Sequence, residues 1–145
     1  MELNLEKFNI RKSTPWIAGK YSLPENVERY IVKGQGLIGV DIFKDDKITI
    51  INIEGSQSCE TTVFNKEGKN KQSIIGQKNN GDAKFIKYIL NNSSDKKVLL
   101  NSLKRKNIDF HKSKSSDFFN IDTKAKEKIS LSVEEDAFII IAAPG

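Results

Sequence analysis

The run Ala137-Phe138-Ile139-Ile140-Ile141-Ala142-Ala143 holds seven apolar residues without one polar interruption. A strand with one wet face alternates apolar and polar residues, so an unbroken run of this length predicts a strand covered on both faces. Just before it, Lys128-Ile129-Ser130-Leu131-Ser132-Val133 alternates cleanly, as a half-buried strand does, and Glu134-Glu135-Asp136 supplies the turn between them. A fold that must cover one strand twice needs a second layer on each side of it.

The stretch from Glu28 to Asn65 supplies further strands. Tyr30-Ile31-Val32, Leu37 to Phe43, Lys47 to Ile53 and Thr61 to Phe64 are short β-branched or aromatic runs, bounded by Gly34-Gln35-Gly36, Asp45-Asp46 and Gly55. Such runs between turn residues predict antiparallel strands with tight connections. The alternation is broken in Ile48 to Ile53, which predicts a central strand buried on both faces. In the N-terminal part, Thr14 to Tyr21 reads as an extended arm, because Pro15 disfavours helix at the residue before it and Gly19 interrupts any helix. Trp16 and Tyr21 are expected to plug one end of a core.

The middle differs in kind. Asn65 to Asp82 is polar and reads as a long loop. Asp82 is placed to cap a helix carrying Phe85, Ile86, Ile89 and Leu90 on one face. After Asn91-Asn92-Ser93, Ser94 or Asp95 is placed to cap a second helix, with Val98, Leu99 and Leu103 inward and Lys104, Arg105 and Lys106 at its C-terminal end. Residues 82–107 are thus a helical insert, followed by a Ser/Lys loop from His111 to Asp117. The fold class expected is mainly β (α+β): a small antiparallel barrel or sandwich with an inserted helical pair, in a single domain of 145 residues. The chain stops at Pro144-Gly145 with no polar tail, and is expected to be the N-terminal part of a longer protein.

Several chemistries are excluded or weakened. No P-loop, dinucleotide fingerprint, nucleophile elbow or paired Cys/His spacing is present, so no metal site is assigned. The one cysteine, Cys59, opens a strand and reads as a buried, inert thiol. The one histidine, His111, reads as a solvated loop residue. No apolar run approaches the roughly 20 residues of a membrane helix, and Met1 to Ile10 is no secretory signal, so a cytoplasmic location and no membrane partner are expected.

Two groups remain as candidate sites. Glu54 and Glu60 flank the Gly55 turn and are placed to share a cleft with Gln57, where a small polar ligand would bind. The other is charge: thirteen Lys/Arg against four Asp/Glu fall between Lys66 and Lys114, on a chain of net charge +5. Lys96, Lys97, Lys104, Arg105 and Lys106 are the candidate anion-binding residues. Nucleic acid is the weaker expectation for that face, because arginine, the favoured phosphate and base reader, occurs only as Arg11, Arg29 and Arg105.

The segment Gly34-Gln35, Glu54, Gly55, Gln57, Glu60 and Phe64-Asn65, with the later Ile129 to Pro144, resembles a family of bacterial domains associated with urea carboxylase and with glycine-cleavage-type aminomethyltransferases. Glu60 stands where that family more often has Asp, and its Cys/His positions are absent here. The resemblance implies an accessory, non-catalytic β-domain preceding a transferase domain in the same chain. It implies tetrahydrofolate as a cofactor of the parent enzyme, with no cofactor in this domain.

Overall fold

The all-apolar run forms strand β8 (Ala137–Ala142), and all six of its residues are buried. The other strands, in chain order, are β1 (Glu2–Glu6), β2 (Val27–Ile31), β3 (Leu37–Ile42), β4 (Lys47–Asn52), β5 (Cys59–Asn65), β6 (Ser116–Phe118) and β7 (Glu127–Ser132). Helices α1 (Lys84–Asn92) and α2 (Lys97–Arg105) lie between β5 and β6. This computed structural model describes residues 1–7, 26–92 and 94–144; the arm expected from Thr14 to Tyr21, with Trp16 and Tyr21, lies outside them.

Two antiparallel sheets result, with strand orders β2-β1-β4-β7 and β3-β8-β5-β6. They do not close into a barrel but face each other as a sandwich, with the helical pair as a third layer. The double burial of β8 follows from this. Ile139 and Ile141 pack into the core between the sheets, whereas Phe138, Ile140 and Ala142 pack under the helices with Ile86, Leu90 and Leu103. Burying one such side chain contributes about 1.5–3 kcal/mol relative to leaving it exposed, so the three adjacent isoleucines tie all three layers together.

The sheet containing β4 has only one buried face. On β4, Ile48, Ile50 and Asn52 are buried while Thr49 and Ile51 are partly exposed, so this strand is central in its sheet but not covered twice as its sequence suggested. The apolar Ile51 lies across from Glu2 and Lys128, in a polar outer layer. Strands β1 and β6 were not recognised in the sequence. Strand β1 has only Leu3 and Leu5 on its buried face.

The supposed loop from Asn65 to Asp82 is anchored rather than free. A 3₁₀ turn, Gln72–Ile75, buries Ile74 and Ile75 in the main core. The Gln72 amide, 3% exposed, donates to Thr61 O at 3.1 Å and Ser116 Oγ at 2.8 Å, and accepts from Val63 N at 2.7 Å. One side chain thereby completes the polar pairing between β5 and β6, which an apolar residue would leave unsatisfied at a cost of about 1–3 kcal/mol per group.

Both helix starts differ from expectation. Asp82 does not cap α1; its carboxylate pairs with Lys114 at 2.6 Å, and that ammonium holds the carboxyl below its usual range. Helix α2 begins after a 3₁₀ turn, Ser94–Lys96, with Lys96 at the N-cap position and no side-chain cap. Val98 is 81% exposed, so the inward face of α2 is set by Leu99, Leu100 and Leu103.

Candidate functional site

The Gly55 turn is built by a residue that the sequence did not single out. Asn52, 1% exposed, accepts from Gly55 N at 3.1 Å and donates to Gln57 O at 2.7 Å, closing the loop over its own side chain. Gly55 has φ +80°, and a Cβ there would stand 2.8 Å from Ala125 N and Thr123 O, so position and conformation both require glycine. Ser56, also at positive φ, donates its N–H to Thr123 O at 2.8 Å.

The three residues expected to share a ligand have separate surroundings. Glu54 is exposed on the turn. Gln57 points the other way: its Nε2 donates to Ser58 O at 3.0 Å and to Pro144 O. A Cβ on Gly34 would lie 3.6 Å from Gln57 Oε1, and Gln35 N donates to Ala143 O at 2.6 Å. Gly34, Gln35 and Gln57 therefore converge on the chain just beyond β8. Glu60 faces the helical layer, where its two oxygens accept from Phe85 N at 3.1 Å and Ile86 N at 3.0 Å. It supplies the cap that was expected from Asp82.

The cationic residues also divide. Lys97, Lys104 and Arg105 are exposed on α2 and make no ion pair among the described residues. Spacings of seven and eight residues place them along one ridge of the helix. Lys106 is engaged elsewhere, 3.0 Å from Asp41 and 5.1 Å above the Phe138 ring. Lys96 lines a cavity beside β3.

That cavity and a neighbour form a groove that went unrecognised in the sequence. The larger, of about 540 Å³, lies between β3 and α2; the smaller, of about 270 Å³, lies between β3 and the end of β1. They share Tyr30, Gly39, Val40 and Asp41. In the smaller cavity the Lys7 side chain, 8% exposed, reaches Asp46 at 3.3 Å and Glu28 at 3.9 Å, and lies 5.1 Å from the Phe43 ring centroid. Tyr30 donates its hydroxyl to Glu28 at 2.7 Å; burial first, then that carboxylate, pushes its pKa upward, so the phenol stays neutral. No local motif marks these residues, since Lys7 and Glu28 come from the end of β1 and from its partner β2 in one sheet, and Asp41 from β3 in the other. Glu54, Gln57 and Glu60 line neither cavity.

Cys59 is fully buried, and burial pushes its thiol pKa up, so it is not poised as a nucleophile. His111 is exposed in a 3₁₀ turn, its ring centroid 4.3 Å from that of Phe110. Among the described residues no group of three or more His, Cys, Asp or Glu is arranged to hold a metal ion, and no helix is long and apolar enough to cross a membrane.

The architecture is that of an antiparallel β-sandwich with a helical cover over one sheet. Over 126 residues, 86% of the chain, the sequence is 28% identical to the trimethylamine-oxide aldolase of Ruegeria pomeroyi. The matched stretch is 16% of that enzyme, so the chain spans a small fraction of the length of the curated relative it matches. No family model matches the chain, and no solved structure matches it.

Proposed function

We propose that this chain serves as an accessory β-domain of an aminomethyltransferase-like, folate-dependent enzyme of one-carbon and amine metabolism. The observation that carries this reading is the similarity, over most of the chain, to a small part of an enzyme named for a methylated amine oxide. Cleavage of a methyl C–N bond in a methylated amine oxide, with the N–O oxygen as internal oxidant, releases a one-carbon aldehyde and the demethylated amine, and tetrahydrofolate is a carrier for such one-carbon units. In this reading tetrahydrofolate belongs to a transferase domain downstream in the same polypeptide, and this domain holds no cofactor. A small polar ligand would meet the Gly55 turn at its exposed rim, where Glu54 is its first contact; Gln57 and Glu60, already bonded within the fold, would shape that rim from behind.

The test begins with the natural reading frame beyond Gly145. A transferase-like continuation, and loss of aldehyde release from trimethylamine oxide when residues 1–145 are deleted while tetrahydrofolate binding persists, is the expected result. A frame that ends at Gly145, with no effect of the chain on any separate transferase, would overturn the reading.

A second reading rests on the α2 ridge of Lys97, Lys104 and Arg105, which makes no ion pair among the described residues. It makes the helical insert an anion-binding face. Affinity for a single-stranded oligonucleotide that falls steeply with salt supports it, and salt-insensitive or absent binding removes it.

A further inference from the structure

The groove along β3 already holds two ammonium groups in the same manner. Lys7 lies 3.3 Å from Asp46 and 5.1 Å from the Phe43 ring, and Lys106 lies 3.0 Å from Asp41 and 5.1 Å from the Phe138 ring. Each is a cation held between a carboxylate and an aromatic face, within the distance at which the ring quadrupole attracts it. One such pairing lies at each lobe, and Tyr30 stands between them as a third aromatic wall.

Two carboxylates, Glu28 and Asp41, line the groove beside Tyr30, on a chain whose net charge is +5. Glu28 and Asp41 keep 44% and 57% of their side chains exposed at the shared mouth, whereas Lys7 and Asp46 are buried. A carboxylate at the mouth with a buried cation already neutralised behind it favours an incoming cation over an anion.

We propose that this groove, centred on Tyr30 and Asp41, is a binding site for a small organic cation of the methylated-ammonium class. The class follows from the walls. A sodium ion or a bare ammonium gives up strong hydration on entering, and aromatic rings replace little of it. A methylated ammonium is weakly hydrated, and offers its methyl groups to Tyr30, Val40 and Leu37 while its charge faces Glu28 and Asp41. The smaller lobe, about 270 Å³, lies just below the usual range of roughly 300–1,000 Å³ for ligand pockets. It suits a head group of few atoms, and the larger lobe would take a substituent. Gly39 is the floor: a Cβ there would stand 2.5 Å from Phe138 Cζ, so only glycine lets that ring lie against β3. This site is separate from the Gly55 turn and does not depend on the function proposed above.

The test is a titration of the isotope-labelled 145-residue chain with tetramethylammonium chloride at constant ionic strength, read by amide chemical shifts. Saturable shifts at Gly39, Val40 and Asp41 are expected, with tert-butanol, the uncharged analogue of similar shape, at least about tenfold weaker. Asp41→Asn and Glu28→Gln should each weaken tetramethylammonium about tenfold, about 1.4 kcal/mol, without moving the tert-butanol affinity. Non-saturating shifts, equal shifts with sodium chloride, equal affinity for tert-butanol, or shifts confined to residues 54–60 would each overturn the proposal.

Discussion

Glu60 on β5 binds the first turn of α1 through two carboxylate–amide hydrogen bonds, to Phe85 N at 3.1 Å and Ile86 N at 3.0 Å. Two of the unpaired N–H groups at the helix start are thereby satisfied by a residue 25 positions away. Sequence reasoning assigned Glu60 to a ligand. The geometry gives it a part in stability as well.

Glu60→Ala is accordingly expected to lower stability by about 1 kcal/mol, the usual worth of a helix cap. Glu60→Gln, which keeps an acceptor, should cost less. Urea unfolding followed by circular dichroism measures both, and equal stability of Glu60→Ala and the parent chain would refute the capping role.

The buried pair of Lys7 and Asp46 makes a sharper prediction. Lys7→Met removes the ammonium 3.3 Å from the Asp46 carboxylate, itself 2% exposed, and breaking such a buried pair costs about 3–5 kcal/mol. Asp46 also accepts from Phe43 N at 3.0 Å, a bond that an asparagine can retain. The double variant Lys7→Met/Asp46→Asn should therefore recover much of the loss, and thermal unfolding of both variants beside the parent chain distinguishes this from simple damage to β1.

Gly39→Ala is expected to destabilise by about 1–3 kcal/mol through overpacking. The added Cβ would meet the Phe138 ring at 2.5 Å and Leu99 Cδ1 at 2.8 Å, so the strain falls on the contact between β3 and α2. Hydrogen exchange should quicken in α2 more than in β1 or β4; a uniform increase would place the damage elsewhere.

The buried thiol carries a pH dependence. Burial raises the Cys59 pKa in the folded chain above its ordinary value of 9.0, with smaller contributions from Asp117 and Glu60. The unfolded chain then loses its thiol proton first, binds fewer protons than the folded chain, and is increasingly favoured over it as pH rises. Stability should fall from about pH 9 upward, and Cys59→Ser or Cys59→Ala should flatten that limb. Reaction with a thiol reagent should require unfolding, so rapid labelling of the native chain would contradict it.

What was legible in the sequence was what apolar periodicity encodes. The seven-residue run of β8, the alternation of β7 and the helical stripe of Phe85, Ile86, Ile89 and Leu90 led to strands and helices close to those found. Ile48 to Ile53 misled, because Ile51 lies on a polar outer face, and burial there is decided by which sheet acquires a cover. Helix caps misled for a related reason: the nearest acidic residue, Asp82, was taken, while a strand residue does the work and Asp82 pairs with Lys114. The groove was illegible, since Lys7 and Glu28 lie in one sheet and Asp41 in the other, and only the packing of the two sheets brings them to one cavity. At the Gly55 turn the glycine was read correctly as a tight turn, but Asn52, which holds it, looked like any strand-end asparagine.

The helical insert leaves from β5 and returns to β6, which pairs with β5, while Glu60 on β5 grips its first turn. Both feet of the excursion therefore stand on one pair of neighbouring strands. Changes of length within it would cost little chain entropy and leave the order of the two sheets intact. The insert can nonetheless not be discarded, because Phe138 and Ile140 would lose the roof under which they lie. Evolution of this fold is thus free to remodel that roof, but obliged to keep one.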